Sequence, residues 1–394
     1  MQLKTILLSV LLLGGIGLLK GQNTDKLHAK AIVVDTHNDV LSTVTMKGMN
    51  FENSLKGKTH SDLSRFKQGG VDVQVFSIFC DERFGKDTAF KYANIEIDSL
   101  YAIVGRNPDK IRIVMTPEEL NQTIKQKKIA AMMGVEGGHM IEDKLEYLDS
   151  FYQRGVRYMT LTWNNSTSWA TSAKDETQHT SPNPKTGLNE FGKEVVKRMN
   201  ELGMIVDVSH VGEQTFWDAL SVTTKPVIAS HSCAYALCPV FRNLKDEQIK
   251  AIGKNGGVIH LNFYSGFLDS TFMRKNIAFL QSHQKEVASL NEQKLAYYEI
   301  QEWVAKTYPQ EAEALRPPLS ALLDHLDYIV KLIGVDHVGL GSDFDGIDSA
   351  PKELNGVEDY PKITKALRKR GYSKKQIRKI LGGNFLRVYK ENTL

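Results

Sequence analysis

The sequence has few cysteines and little net charge, and each shortage excludes some classes of protein. Only three cysteines occur among 394 residues, and an odd number cannot all pair within one chain. Cys80, Cys233 and Cys238 are therefore interpreted as structural residues, and no disulfide framework is expected. A formal net charge of +4 argues against a surface that binds polyanions. Neither a basic groove nor a base-stacking motif is found, so nucleic-acid binding is not expected.

Long apolar runs are also scarce, and the one that exists lies at the amino terminus. Lys4 precedes a mostly apolar stretch over residues 6–19, which at about 14 residues is short for a membrane span of roughly 20. This pattern predicts a secretory signal peptide over residues 1–21, with an uncleaved anchor as the alternative. Because no second such run follows, we expect a secreted or periplasmic protein without a stable membrane anchor after signal cleavage.

The rest of the chain alternates short apolar runs with helical patterns, which is typical of βαβ units. Eight such runs predict eight strands, the number that closes a (β/α)8 barrel. We therefore predict an α/β fold with one barrel domain over residues 22–394. A long polar loop is expected over residues 164–187, and a charged helical insertion over about 264–316, between strands seven and eight. The predicted strands cover residues 31–35, 71–80, 129–135, 158–162, 204–208, 226–230, 257–261 and 337–340.

Imidazole and carboxylate side chains follow four of these strands. Parallel strands of a barrel deliver their carboxyl ends to one rim, so these side chains should converge. A single histidine there is more simply a hydrogen-bonded core residue, but the whole set favours a metal centre. The residues are His37, Asp39, Glu136, His210 and His231.

Five ligands exceed what one tetrahedral Zn²⁺ needs. We expect two ions, with His37 and Asp39 on one, His210 and His231 on the other, and Glu136 bridging them. Two close ions can hold a bridging hydroxide and polarise a carbonyl, as in metal-assisted hydrolysis. Nitrogen and oxygen ligands without thiolate suit Zn²⁺, Mn²⁺ or Co²⁺, and zinc is favoured.

Two more side chains should lie at the same rim. Asp343 follows the last strand in GLGSDFDG and is placed to move a proton between water and a leaving amine. Asp345 in the same motif is more simply a turn cap. Arg242, eleven residues after His231, can clamp a substrate carboxylate through two parallel hydrogen bonds, although an ordinary surface or ion-pair arginine is an equal alternative.

In this order, the motifs resemble the membrane dipeptidase (renal dipeptidase) family of zinc peptidases. The resemblance covers nearly the whole chain after the signal. It implies a zinc-dependent dipeptidase with two Zn²⁺ and the five ligands named above, usually a homodimer, that accepts a D-residue at the carboxyl-terminal position. By position, Glu136 and Asp343 would be catalytic, while Arg242 and Tyr264 would contact the dipeptide. The matching motifs are DTHND, GVEGGH, RYMTLTW, LGMIVDVSH, PVIASHSCAYAL, FRN, VIHLNFY and VGLGSDFDG.

One departure from the family pattern bears on activity. Members known for dipeptide cleavage carry histidine where this chain has Trp163, in LTWNNSTSWATS, and that histidine steadies the developing oxyanion. Indole offers one N–H donor and no positive charge, so Trp163 or the neighbouring Asn164 would have to replace it. Losing such a donor typically lowers turnover by about 10²–10³-fold.

Two alternatives remain open. One is a related amidohydrolase-type barrel that acts on another amide, lactam or ester. Barrels of that kind commonly show HxH after strand one and a carboxylated lysine after strand four, and this chain has neither. The other is a weakly active or non-catalytic metal-binding homologue, which the replacement at Trp163 keeps open.

Overall fold

The structure, a computed structural model, describes residues 26–181, 185–295 and 297–393. The predicted signal peptide, residues 1–21, lies outside them. Within the described residues, nine strands form one parallel sheet. They are Val34–Asn38 (β1), Val73–Ile78 (β2), Ile111–Ile113 (β3), Ile129–Glu136 (β4), Val156–Thr160 (β5), Ile205–Asp207 (β6), Ile228–Ala229 (β7), Val258–Leu261 (β8) and Val338–Leu340 (β9).

Eight of these strands follow one another around a nearly closed barrel in the order β1-β2-β4-β5-β6-β7-β8-β9. The two ends of the sheet meet just beyond β1 and β9. There the amide of Asp39 donates to the carbonyl of Phe344 at 2.8 Å, and the amide of Asp343 donates to the carbonyl of His37 at 3.0 Å. The predicted (β/α)8 barrel is thus confirmed. β3, which the sequence did not reveal, pairs with β4 beside this ring.

Helices connect the strands on the outside of the barrel. They are Val40–Met46, Leu63–Gly69, Ala89–Arg106, Pro117–Lys125, Leu145–Gln153, Ala173–Gln178, Glu190–Leu202, Glu213–Val222, Asp246–Asn255 and Leu319–Ile333. After β9 follow Tyr360–Lys369, then Lys374–Arg378, a π-helical turn Lys379–Gly383, and Asn384–Thr393. No described helix is both long enough and apolar enough to cross a membrane.

Between β8 and the helix Leu319–Ile333 the described chain forms five helices, Ser265–Leu268, Phe272–Ser282, Gln284–Glu292, Tyr297–Thr307 and Pro309–Leu315. The last four share a small apolar cluster around Phe279, Leu290, Ile300 and Val304, separate from the barrel core. These four helices therefore have a small apolar core of their own above the rim of the barrel.

Several element boundaries differ from the predicted ones for local reasons. The first strand begins at Val34 rather than at residue 31, because the amide of Ala31 still bonds the carbonyl of Leu27 in a preceding turn. β5, which corresponds to the fourth predicted strand, begins at Val156 rather than at residue 158, because Gly155, at φ +101°, turns the chain just before it. The polar stretch 164–187 contains the helix Ala173–Gln178, whose first amides are capped by the Ser172 hydroxyl.

The apolar core fills one end of the barrel, so polar side chains that could form a functional site lie at the other end. Residues from the early parts of the strands, such as Val73, Ile205 and Val258, pack with Phe385 and Val388 of the last helix. Because apolar side chains fill that end of the barrel, the polar side chains of the strands lie at the carboxyl-terminal rim, as in other barrels of this kind.

Candidate metal centre

The predicted ligands all reach the carboxyl-terminal rim of the barrel. One lies in a strand, one ends a strand, and the others follow a strand by one to three residues. In chain order they are His37 in β1, Asp39 after β1, Glu136 at the end of β4, His210 after β6 and His231 after β7, with Asp343 after β9.

Glu136 lies between the early and the late histidines. Its Oε1 is 2.9 Å from Nε2 of His210 and 3.4 Å from Nε2 of His231. Its Oε2 is 3.3 Å from Nε2 of His37. One carboxylate thus faces both halves of the cluster, as a bridging ligand must.

A second group of acceptors adjoins His37. Its Nε2 lies 3.6 Å from Oδ2 of Asp39 and 3.9 Å from Oδ1 of Asp343. Two sets have ligand atoms within 4.8 Å of one another, namely His37, Glu136 and His231, and His37, Asp39 and Asp343. The structure therefore brings Asp343 as close to His37 as a ligand would be, although the sequence suggested only a proton-transfer role for it.

The outer nitrogens of the three histidines are each held by a hydrogen bond. Nδ1 of His37 lies 2.7 Å from the hydroxyl of Tyr158, which itself donates to the carbonyl of Thr36. Since that hydroxyl has one hydrogen, Nδ1 of His37 must be the donor to it. Nε2 of His37 is then the free nitrogen, and it faces Glu136.

The same pattern holds for the two late histidines. Nδ1 of His231 lies 2.8 Å from the Ser230 hydroxyl, which donates to Asp207 at 2.6 Å. Nδ1 of His210 lies 3.1 Å from Oδ1 of Asn164. Each Nδ1–H has an acceptor, so both Nε2 atoms carry a lone pair toward Glu136.

Those two Nε2 atoms lie only 2.9 Å apart. With both Nδ1 atoms protonated, two lone pairs face each other beside a carboxylate, an arrangement that a shared cation relieves. Nε2 of His37 and Oδ1 of Asp39 are likewise buried without a hydrogen-bond partner among the described residues. Because buried polar atoms are nearly always satisfied, these unsatisfied atoms fit a site for divalent cations.

In the metal-free protein, Glu136, His210 and His231 already have the protonation states of ligands. Burial alone would raise the pKa of Glu136, but the positive charge of His37 holds it well below its usual value. Burial lowers the pKa of His210 to about 3 and that of His231 well below 6.5. Burial would lower the pKa of His37 too, but Glu136 and Asp39 raise it to about 10, so a cation at Nε2 replaces a proton.

The backbone is tightly constrained around the site. His210 and Asp343 both have positive φ, 63° and 60°, which is uncommon outside glycine and recurs at functional sites. Gly346 packs so closely that a Cβ there would lie 2.2 Å from Oδ2 of Asp39 and 2.7 Å from Oδ1 of Asp343. The side chain of Asn262 donates to Oδ2 of Asp343 at 2.7 Å and fixes its orientation.

Arg242 lies in the wall of a cavity of about 640 Å³ that also includes His210 and Tyr264. It is 5% exposed, and its polar contact within the described chain is a 3.4 Å hydrogen bond to the carbonyl of His231. No carboxylate of the described residues pairs with it at salt-bridge distance. Burial lowers its pKa to about 10, so the guanidinium stays charged at neutral pH and is free to bind an anion.

Trp163 and Asn164 lie on the other side of His210. The indole is half-buried, with its ring centroid 4.9 Å from Phe79 and 6.5 Å from His210. Asn164 uses its amide oxygen to hold the imidazole of His210. The structure thus places Asn164 as a support of a predicted ligand, a position that the sequence did not indicate.

The sequence model of the membrane dipeptidases, peptidase family M19, matches residues 22–394. The chain belongs to the M19 membrane dipeptidase family. An uncharacterized dipeptidase of Schizosaccharomyces pombe is 33% identical over 386 residues, covering 93% of this chain and 81% of the yeast protein.

Two further dipeptidases are similar to this chain. Dipeptidase 3 of Mus musculus is 30% identical over 365 residues, or 91% of this chain, which spans 64% of the mouse protein. The crystal structure of the probable dipeptidase PvdM from Pseudomonas aeruginosa has a TM-score of 0.78 at 25% identity, covering 95% of this chain and 98% of that one. Membership in M19 makes this chain a metallopeptidase with the barrel fold of that family.

The sequence analysis did not identify the residues that support the predicted metal ligands from behind. Tyr158 and Ser230 contact the predicted ligands His37 and His231, and Asn262 contacts Asp343. Asp207 accepts from the Ser230 hydroxyl and so acts through it. All four lie in the quoted motifs, which are RYMTLTW, LGMIVDVSH, PVIASHSCAYAL and VIHLNFY. The feature that could have revealed them in the sequence is a hydrogen-bonding side chain that lies within a few residues of a predicted ligand or on a neighbouring strand.

Proposed function

We propose that this chain hydrolyses the peptide bond of dipeptides that have a free carboxyl terminus, at a centre of two divalent ions. Glu136 carries the proposal, since its two oxygens face His37 on one side and the opposed imidazoles of His210 and His231 on the other. Substrates with a D-residue at the carboxyl-terminal position are included, as the family resemblance implies.

In this proposal His37 and Asp39 would hold one ion, His210 and His231 would hold the other, and Glu136 would serve as a ligand to both. Bound there, divalent ions would polarise the peptide carbonyl and lower the pKa of the attacking water. The buried hydrogen bonds behind the histidines keep each Nε2 aimed at the centre, so the site is organised before substrate arrives.

The carboxyl terminus of the dipeptide is assigned to Arg242. A buried guanidinium without a carboxylate partner is costly, and a substrate carboxylate would supply two parallel hydrogen bonds. Tyr264 lines the same cavity and contributes its ring to the wall beside the carboxyl-terminal residue. This contact requires a free carboxylate one residue after the scissile bond.

Asp343 is assigned the proton transfers. Burial raises the pKa of its carboxyl group, opposed by the charge of His37. Asn262 holds Oδ2, which leaves Oδ1, on the side of His37 and Asp39, to take the proton from the attacking water. The same oxygen then delivers that proton to the departing amine.

The test is to measure metal content and hydrolysis together in the wild type and in His210→Ala, with His179→Ala, an exposed histidine, as control. The substrates are L-Ala-L-Ala, L-Ala-D-Ala and L-Ala-D-Ala amide. We expect chelator-sensitive hydrolysis of the two acids, little of the amide, and joint loss of metal and activity in His210→Ala alone. Full activity after metal loss would refute the mechanism, and equal cleavage of the amide would remove the role of Arg242.

Five further properties stay predictions from the sequence and from its resemblance to the family. They are the identity of the metal as zinc, the count of two ions, export through the signal peptide, the absence of a stable membrane anchor, and assembly as a homodimer.

A further inference from the structure

A second cavity, of about 490 Å³, lies between the loop after β9 and the helices that precede β9. Asp345, Gly346 and Asp348 form one wall, and Asn276 and Gln301 belong to the helical wall. It shares no lining residue with the cavity of Arg242. The two cavities thus lie over different parts of the rim, one over β6 and β7 and the other over β9 and β1.

The walls of this second cavity contain four buried polar atoms without a hydrogen-bond partner among the described residues. They are Nδ2 of Asn276, Nε2 of Gln301, Oδ2 of Asp345 and Oδ1 of Asp348. Asn276 is 5% and Gln301 6% exposed, so both amides are inside the protein rather than at its surface. Four such atoms around one space are expensive unless a polar ligand completes their hydrogen bonds.

The cavity is next to the proposed metal centre. Gly346, in its wall, is the residue whose Cα packs against Asp39 and Asp343. A dipeptide with its carboxylate on Arg242 and its scissile carbonyl at Glu136 must extend its amino-terminal residue away from β6 and β7. That direction leads toward Asp343 and this cavity.

The charges of the inner wall favour a cation. Oδ1 of Asp345 accepts from the amide of His60 at 2.7 Å, which leaves Oδ2 unused. Burial raises the pKa of Asp348 to about 6, so it is mostly ionised at pH 7.5. Glu302 of the outer wall is already paired with Lys306.

The basic groups around the cavity do not neutralise this wall. Arg316 pairs with Glu313, and its other donors are engaged by Asn355 and by backbone carbonyls. Nδ1 of His60, although 3.4 Å from Oδ1 of Asp345, accepts from the amide of Asp345. Lys47 and Lys58 are exposed and reach solvent. The amides of Asn276 and Gln301 can present either their oxygen or their nitrogen, so they can serve a donor-rich side chain too.

We propose that this cavity receives the side chain of the amino-terminal residue of the dipeptide and that Asp345 and Asp348, with Asn276 and Gln301, select a basic side chain. The inference rests on the proposed function for the position of the substrate. It adds a substrate class, dipeptides that begin with lysine or arginine.

The experiment compares kcat/KM of the metal-loaded enzyme for Lys-Ala and for norleucyl-Ala, a neutral isostere of similar length. One charged, buried hydrogen-bonding pair corresponds to a preference of about 10–100-fold, and we expect the ratio for the wild type to lie in this range. Asp348→Asn should lower the ratio at least tenfold, and Gln301→Met, which keeps side-chain length, should lower it in the same direction. Glu292→Gln, an exposed acid on a helix of the same segment outside the cavity wall, should leave the ratio unchanged.

Calorimetric binding of the two dipeptides separates this inference from the proposed function. Preferential binding of Lys-Ala that Asp348→Asn abolishes, without turnover, would support the cavity and refute the hydrolysis. Hydrolysis with no preference for Lys-Ala, or with a preference that both cavity variants retain, would overturn the inference and leave the proposed function intact.

Discussion

Replacing Tyr158 with phenylalanine removes one oxygen atom that no substrate would touch. That oxygen accepts from Nδ1 of His37 at 2.7 Å and donates to the carbonyl of Thr36 at 3.0 Å. The ring of Tyr158 is 1% exposed and would stay in place, since phenylalanine has the same shape. The variant therefore tests whether the hydrogen bond behind His37 organises the centre.

Two losses follow from the structure. First, Nδ1–H of His37 and the carbonyl of Thr36 are both left buried and unpaired, each at a cost of about 1–3 kcal/mol in the free energy of unfolding. Second, the imidazole of His37 can turn or change tautomer, which withdraws Nε2 from Glu136 and Asp39. Removal of such a supporting partner typically lowers metal affinity by about 10–100-fold, or about 1.4–2.7 kcal/mol of binding free energy.

The assay is competition of the purified protein with a chromophoric chelator, together with chemical denaturation of the metal-free form. Tyr101→Phe is the matched control, because its hydroxyl also donates to a backbone carbonyl, that of Arg154, at 3.0 Å, but on the outer surface. Metal affinity of Tyr158→Phe within twofold of the wild type would refute the reasoning that this hydrogen bond positions His37.

Three further variants probe separate parts of the account. Gly346→Ala should lower metal content at least tenfold because its Cβ would lie 2.2 Å from Oδ2 of Asp39, whereas Gly105→Ala, with open space around the Cβ position, should not; equal metal content in both would contradict the packing. Burial raises the pKa of Glu96 from 4.5 to about 8, so the folded state keeps a proton that the unfolded chain releases, and the free energy of unfolding should fall as pH rises from 4.5 to 8; Glu96→Gln should flatten this fall in denaturation curves at pH 5 and pH 8, and parallel curves for the two proteins would contradict it. Trp163→His supplies an oxyanion donor beside His210 and should raise kcat about tenfold, which is less than the 10²–10³-fold that one well-placed oxyanion donor provides; an unchanged kcat at full metal content would show that the indole does not limit turnover.

The barrel and the convergence of the proposed ligands could be predicted because both depend on local patterns. A run such as IAAMMGVE marks a buried parallel strand, and the residue that ends it, Glu136, must reach the rim with the ends of the other strands. Spacing within one segment also placed His37 and Asp39 on one side, where the structure has them 3.6 Å apart.

Contacts between distant segments could not be predicted in the same way. The hydroxyl of Tyr158 meets His37 across 121 residues of sequence, and a tyrosine in the middle of an apolar strand reads simply as core. Likewise, Asn164 turns its oxygen to His210 because of the path of a long polar loop, which has no periodicity to read. β3 has three residues, too few for alternation to distinguish it from a loop.

The central claim is that Glu136 joins His37, Asp39, His210 and His231 into one centre for a pair of divalent cations. Elemental analysis of the purified chain, in the wild type and in Glu136→Gln, tests it most directly. The account predicts two divalent ions per wild-type chain and fewer than one in the variant, because the amide has one acceptor oxygen and no charge. Wild-type protein without bound metal after reconstitution, or a variant that still holds two ions, would contradict it.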